Sequence, residues 1–223
     1  HLVVPGDVRG VRDGAAAFYT GAVADRIVAS MQAHDGLITH EDLARYRPVE
    51  RAPIETDYRG HRVVTMPPSS AGGVMLLELL NIVEGFDLAA MGPDTAASLH
   101  VMAEAMKLAQ LDRTRYIGDP DFSRLPTDRL ISQAYADARA ALIRQDGVLP
   151  PPSLTPGDPW EVEGIDTTHF SIVDAEGNVV SNTYTLGSSF GSGAVADGTG
   201  VLLNDQMKNF NRRMGPDGRP LTA

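Results

Sequence analysis

The chain has 223 residues and no cysteine, and its 29 Asp and Glu outnumber its 19 Lys and Arg, giving a formal net charge of −10. The absence of cysteine excludes disulfides, thiolate catalysis and Cys-based metal sites within this sequence. An acidic balance without a basic cluster argues against a nucleic-acid partner, because phosphate neutralisation needs clustered Lys and Arg. No apolar run reaches the roughly 18 residues of a membrane span. We therefore expect neither a nucleic acid nor a membrane as partner.

The first two thirds of the chain are predicted to be mainly helical, because apolar residues recur there at helical spacing. In chain order the predicted elements are a helix over 15–33, a helix capped by Thr39 and ending at Tyr46, a strand over 58–66, and helices over 74–83, 94–115 and 127–143. The apolar stripe of the 94–115 helix is expected to face the core and consists of Leu99, Met102, Ala103, Met106 and Leu111.

The character of the chain then changes. Residues 147–159 contain five prolines, which is typical of a linker. Two β-rich runs follow, "TTHFSIV" (167–173) and "VVSNTYTL" (179–186), joined by the turn-forming "DAEGN". This order predicts an α+β chain in which a β-rich segment begins at the paired threonines.

The position of Thr167 and Thr168 at the head of a strand raises the question of nucleophilic chemistry. A hydroxyl is a poor nucleophile unless a base takes its proton. The α-amino group of the nucleophile itself can be that base, since its pKa is about 8, but only if the residue is N-terminal. An internal Thr becomes N-terminal when the chain is cut just before it. An ordinary strand that begins with Thr is the alternative interpretation.

Longer motifs favour the chemical interpretation. The stretches "FYTGAVADRIVASMQAHDGLITHEDLARY", "YRGHRVVTMPPSSAGG", "DRTRYIGDPDF" and "TTHFSIVDAEGNVVSNTYTLGSSFGSG…GVLLNDQMKNF" resemble the γ-glutamyltranspeptidases, which are N-terminal-nucleophile (Ntn) hydrolases. The resemblance implies autocleavage between Asp166 and Thr167, with Thr167 as the nucleophile. It also implies that Thr185 hydrogen-bonds the nucleophile hydroxyl.

Other positions of the substrate pocket follow from the same resemblance. Gln206 matches a substrate-binding residue of the family. Asn209 stands where the family has an Asp that pairs with the substrate's α-amino group, and Gly187 stands where typical bacterial members have Asn. A neutral amide cannot neutralise a buried ammonium. The acyl specificity is therefore expected to differ from that of a strict γ-glutamyl enzyme.

The resemblance implies an Ntn-hydrolase αββα four-layer sandwich, present only in part. Residues 1–166 would be the C-terminal part of a large-subunit-like region and residues 167–223 the N-terminal part of a small-subunit-like region, forming a heterodimer after processing. Other site residues, including the oxyanion-hole donors, would lie outside this stretch. The resemblance makes a periplasmic or secreted location plausible, and a cytoplasmic location stays open.

The expected activity is hydrolysis or transfer of a γ-glutamyl or related N-acyl group from a small amide to water or an amine, without a cofactor. One alternative is an acylase of the same fold with a non-glutamyl substrate. Another is a non-catalytic binding module on a decayed fold. His169 invites comparison with a catalytic triad, but we expect a histidine packed on the sheet. The six histidines are dispersed, so a metal site is not expected.

Overall fold

The computed structural model describes residues 14–150 and 167–209. They fall into two compact units. The first holds the described residues up to Val49 together with those from 167 to Lys208, and the second holds Glu50 to residue 150. None of the helices in these residues is long and apolar enough to cross a bilayer.

In the first unit, three helices precede two hairpins. The elements are α1 (Ala15–Tyr19), α2 (Ala22–Ala33), α3 (His40–Arg45), β3 (Thr168–Val173), β4 (Val179–Tyr184), β5 (Val195–Ala196), β6 (Val201–Leu202) and a 3₁₀ helix (Gln206–Asn209). Strands β3 and β4 pair antiparallel, as do β5 and β6. A small core joins α2 to β5, where Ile27 and Met31 pack with Ala196. The Asp197 N–H also donates to Ser30 Oγ, 3.0 Å away.

In the second unit, helices pack beside an N-terminal hairpin. The elements are β1 (Ile54–Tyr58), β2 (His61–Thr65), α4 (Ala71–Glu84), α5 (Leu88–Met91), α6 (Ala96–Tyr116), α7 (Thr127–Leu130) and α8 (Gln133–Ala140). The main core lies where α4, α6 and α8 meet, and its buried members are Ile82, Val83, Val101, Ala105, Leu108, Ala136 and Ile143.

Several predicted elements are confirmed, but two predicted helices are interrupted. The 15–33 helix breaks at Thr20–Gly21, where the Thr20 hydroxyl donates to the carbonyl of Ala16. The 127–143 helix breaks at Ile131–Ser132 because the Ile131 carbonyl accepts the Asn81 side-chain amide at 2.7 Å and Ser132 caps a new helix. The predicted strand at 58–66 is the second arm of a hairpin whose first arm, β1, the sequence analysis did not predict.

The predicted core stripe of α6 is wrong. Leu99, Met102 and Met106 are exposed in the described structure, with 52%, 39% and 48% of their surface accessible. The buried face has smaller apolar side chains, which allow close approach to α4, and two acids whose charges are paired. Its members are Ser98, Val101, Glu104, Ala105, Leu108, Ala109 and Asp112.

Asp112 is the centre of a buried polar cluster between α4, α6 and α8. Its Oδ2 accepts hydrogen bonds from Tyr135 Oη at 2.8 Å and Arg139 Nε at 2.9 Å, and the Arg139 guanidinium also contacts Oδ1. Glu78 on α4 hydrogen-bonds the same carboxylate and is 1% exposed. Burial, and then the neighbouring Asp112, raise the pKa of Tyr135 to about 12.

Of the proline-rich segment predicted as a linker, only the first residues are described. Leu149 is fixed to α6 there, since its N–H donates to Glu104 Oε2 at 3.0 Å and its carbonyl accepts Lys107 Nζ at 3.1 Å. The remainder lies outside the described residues.

Candidate active site

The predicted hairpin at the threonines is present. The turn is organised by Asp174, whose Oδ1 accepts the N–H groups of Glu176 at 3.0 Å and Asn178 at 2.8 Å. Gly177 supplies the positive φ of 84° that this turn needs. The Asp and Gly of "DAEGN" therefore specify the turn, and the turn sets the strand register.

The last pair of the register adjoins the two predicted catalytic threonines. Thr168 pairs with Tyr184 at the open end of the hairpin. Thr167 and Thr185 are the next residue on each strand, and the register continued by one step sets them opposite each other. Directly opposed residues of an antiparallel pair share one face of the sheet. Both threonines are exposed. Thr185 Oγ1 accepts the backbone N–H of Gly187 at 3.0 Å.

The face that carries Thr167 and Thr185 is polar along most of its length. By alternation, His169, Thr183, Ser171 and Ser181 follow on the same face. His169 Nδ1 lies 2.6 Å from Thr183 Oγ1, and its Nε2 lies 3.2 Å from Ser181 Oγ.

Within the described residues His169 is exposed and hydrogen-bonded to Thr183, whereas a histidine packed on the sheet was expected. Its hydroxyl partners were not predicted. Their spacing of two residues, Thr167-His169-Ser171 and Ser181-Thr183-Thr185, was the signal that could have revealed them.

The remaining predicted pocket residues lie after β4. Gly187 adopts a positive φ of 98°. Asp205, which the sequence analysis did not single out, accepts the Ser188 N–H at 2.9 Å and the Ser188 hydroxyl at 2.7 Å. Gln206 opens the 3₁₀ helix that Asn209 closes, and the Gln206 N–H donates to Asn204 Oδ1 at 3.0 Å. The structure thus links the loop at Gly187 to the segment that leads into Gln206.

One predicted site residue, Asp166, lies outside the described residues. Within residues 14–150 and 167–209, His, Asp and Glu side chains form no group of three that could hold a metal ion.

Comparison with known proteins places this geometry in a family. The γ-glutamyltranspeptidase family model matches residues 11–222. The glutathione hydrolase proenzyme of Escherichia coli strain K12 is 45% identical over 222 residues, which covers 92% of this chain and 38% of that protein. The acylase ACY 1 proenzyme of Pseudomonas sp. strain V22 is 40% identical over 203 residues, covering 91% of this chain and 36% of that protein.

A solved structure agrees. Cephalosporin acylase from Bacillus halodurans aligns with a TM-score of 0.77 and 33% identity over 96% of this chain and 38% of that chain. The mixed helix-and-sheet class is therefore that of the Ntn hydrolases. The chain spans less than two fifths of the length of these curated relatives. The chain belongs to the γ-glutamyltranspeptidase family.

Proposed function

We propose that the full-length protein is an amide hydrolase or acyltransferase that carries a γ-glutamyl or related N-acyl group as an ester on Thr167. The observation that supports the proposal is the hairpin register, whose last pair, Thr168–Tyr184, directly precedes the step at which Thr167 and Thr185 would face each other. The relatives named glutathione hydrolase proenzyme and acylase proenzyme support both the activity class and the maturation of a precursor.

The chemistry follows from an N-terminal threonine. Cleavage of the Asp166–Thr167 bond releases the Thr167 α-amino group, which takes the hydroxyl proton. The hydroxyl oxygen then attacks the amide carbonyl, the amine leaves with a proton, and an ester remains on Thr167. Water or an acceptor amine attacks this ester, releases the acyl group and restores the hydroxyl. Residues up to 166 and from 167 onward would then be parts of separate subunits.

The first test is the intact mass of the full-length gene product beside its Thr167→Ala variant. We expect two wild-type fragments divided between Asp166 and Thr167, and an uncut variant. Thr167→Ser is the matched control, because it keeps a hydroxyl and should still be cleaved. A single uncut mass for wild type and Thr167→Ser alike would overturn the proposal and favour the non-catalytic binding module.

The acyl group is the second question, and two departures from the family pattern fall on the pocket that would read a glutamyl group. Asn209 offers an amide where a carboxylate would neutralise an ammonium. Gly187 lacks the side chain of the Asn that typical bacterial members have at this position, and the Asp205 carboxylate occupies the space where a Cβ would lie. The relatives named acylase fit the alternative of an acylase with a non-glutamyl substrate.

The two acyl classes are separated by assaying the full-length protein with two anilide substrates and comparing their kcat/KM values. One substrate carries a γ-glutamyl group, and the other carries the same acyl group without its α-amino substituent. The acylase alternative predicts that the second is preferred. Asn209→Asp should then raise kcat/KM for the γ-glutamyl anilide by about tenfold, equivalent to ~1.4 kcal/mol. Preference for the γ-glutamyl anilide in the wild type would instead support the glutathione-hydrolase type.

A further inference from the structure

The loop that follows β4 is tied to the 3₁₀ helix by a single carboxylate. Asp205 accepts both the N–H and the hydroxyl of Ser188, and Lys208 Nζ lies 3.1 Å from Asp205 Oδ2 and donates to Ser188 Oγ at 2.7 Å. The Asp205 N–H donates in turn to the carbonyl of Leu186 at 2.9 Å. The Ser188 hydrogen bonds, with help from Lys208, lower the pKa of Asp205 to about 2. The group is therefore a carboxylate throughout the neutral range.

The same carboxylate lies against Gly187. A Cβ built at position 187 would overlap Asp205 Oδ1, and the φ of +98° is a conformation that L side chains rarely adopt. A side chain at 187 and the observed Asp205 carboxylate therefore exclude each other. Asp205 occupies the volume that the loop would otherwise give to residue 187.

The position of Gly187 matters because its N–H donates to Thr185 Oγ1. A Thr hydroxyl has one proton to donate and two lone pairs to accept with. When the Gly187 N–H fills one lone pair, the Thr185 hydroxyl keeps its own proton for another acceptor. Thr167 is the residue that the hairpin register, continued one step past the Thr168–Tyr184 pair, sets opposite Thr185.

We propose that Asp205 is a positioning residue of the acyl-transfer site. By holding Ser188 and filling the space beside Gly187, it keeps the Gly187 N–H on Thr185 and so directs the Thr185 hydroxyl proton toward the oxygen of Thr167. This role rests on the proposed function of Thr167 and adds a residue that acts through Thr185.

The test compares wild-type full-length protein with Asp205→Asn. The amide keeps the size of the carboxylate and one acceptor oxygen, but its NH₂ group cannot accept from the Ser188 hydroxyl or from Lys208. We expect kcat for an acyl anilide to fall about tenfold, with KM changed less than about threefold. Hydrogen exchange of the Gly187 amide should accelerate, while exchange in β3 and β4 stays unchanged.

A double-mutant comparison separates positioning from general stability. In a Thr185→Val background, where no hydroxyl remains to orient, Asp205→Asn should cause no further loss of kcat. In a Thr185→Ser background the tenfold loss should persist. Asp197→Asn is the matched control, because it removes one charge from an exposed pair with His34 in the same compact unit and should leave kcat unchanged.

The outcomes distinguish this role from the function on which it rests. A wild-type protein that forms no acyl-enzyme would overturn the proposed function itself. An active wild type with full kcat in Asp205→Asn, or an equal loss in the Thr185→Val background, would overturn only the role of Asp205. If the Thr185→Val variant is too slow to assay, the hydrogen-exchange rate of the Gly187 amide decides instead. An unchanged rate in Asp205→Asn would overturn the proposed role of Asp205.

Discussion

At the scale of single residues, Glu78 is a buried acid whose pKa lies far above that of a free glutamate side chain. It is 1% exposed, and its Oε1 has no hydrogen-bond partner among the described residues. Its carboxyl faces Asp112 on α6, which Tyr135 and Arg139 of α8 also contact. Burial, and then the hydrogen bond and charge of Asp112, raise its pKa from 4.5 to about 9. Glu78 is therefore protonated in the folded protein at neutral pH.

This shift gives the stability of the protein a pH dependence of known sign. Between pH 4.5 and about 9 the unfolded carboxyl is ionised while the folded one keeps its proton. The folded state thus binds more protons, and the free energy of unfolding falls as pH rises through that window, by up to about 1.4 kcal/mol per pH unit. Below pH 4.5 both states are protonated and the contribution to stability is fully present.

Glu78→Gln is expected to remove this dependence, because a glutamine amide donates to Asp112 as the protonated acid does but cannot ionise when unfolded. Urea unfolding of the full-length variant and wild type at pH 5 and pH 8 measures the effect. The free energy of unfolding of the variant, relative to that of the wild type, should be higher at pH 8 than at pH 5. Glu55→Gln, which removes an exposed partner of Arg62, is the control and should show no such growth. Parallel pH profiles for wild type and Glu78→Gln would contradict the buried, protonated acid.

Residue by residue, the sequence predicted what local spacing determines. Thr167 and Thr185 were assigned from the family resemblance, and the five-residue turn between two recognisable strands agrees with that assignment because it brings the second strand back beside the first. The Asp205–Gly187 contact could not be predicted, since it depends on how a glycine-rich loop of irregular backbone closes onto a segment 18 residues later. Glu78 was equally hidden, because on α4 it occupies an ordinary helix position and only the packing of α6 and α8 buries it.

At the scale of elements, the start of α4 shows where helix preference and packing conflict. Gly72 and Gly73 are adjacent in its first turn. A Cβ at Gly73 would overlap the carbonyl oxygen of Met66, whereas a Cβ at Gly72 would meet nothing within 4 Å. Only the second glycine is required by the close approach of the helix to the end of the preceding strand.

The paired substitutions should therefore have opposite effects. Gly72→Ala should stabilise the protein by up to about 1 kcal/mol, because Ala is the better helix former. Gly73→Ala should destabilise it by about 1–3 kcal/mol, because the gain in propensity is outweighed by overpacking against rigid backbone. Thermal unfolding of both full-length variants is the measurement. Shifts of the same sign would show that the Gly73 contact relaxes at little cost.

The elements also show why the periodicity of apolar residues predicted the positions of helices better than it predicted which side of each helix is buried. The α6 sequence has large apolar residues on one side and small apolar residues interspersed with acids on the other. Hydrophobicity alone favoured the first side, but close packing on α4 and the Asp112–Arg139 ion pair bury the second. The breaks at Thr20 and Ile131 likewise arise from specific hydrogen bonds that no apolar pattern reports.

At the scale of the whole molecule, composition and pattern predicted mixed α and β structure, while the αββα class came from the family. The described strands form three separate two-stranded sheets. Every residue of β3 and β4 is exposed, including apolar side chains on both faces, namely Phe170, Ile172, Val173, Val179, Val180 and Tyr184. A large exposed apolar surface usually marks a contact with other protein chain, and an isolated two-stranded hairpin is marginally stable at best.

We therefore expect the β3–β4 hairpin to be covered by further chain in the full-length protein, as the central sheets of its fold class require. Hydrogen exchange measured by mass spectrometry on that protein is the test, with the exposed loop at 47–50 as the internal reference. Amides of 168–173 and 179–184 should exchange much more slowly than the loop, because burial on both faces makes local opening of the strands costly. Equal exchange in strands and loop would mean that the hairpin is not covered by other chain. Thr167 and Thr185 would then have no fixed relative position, which would contradict the proposed acyl-transfer site.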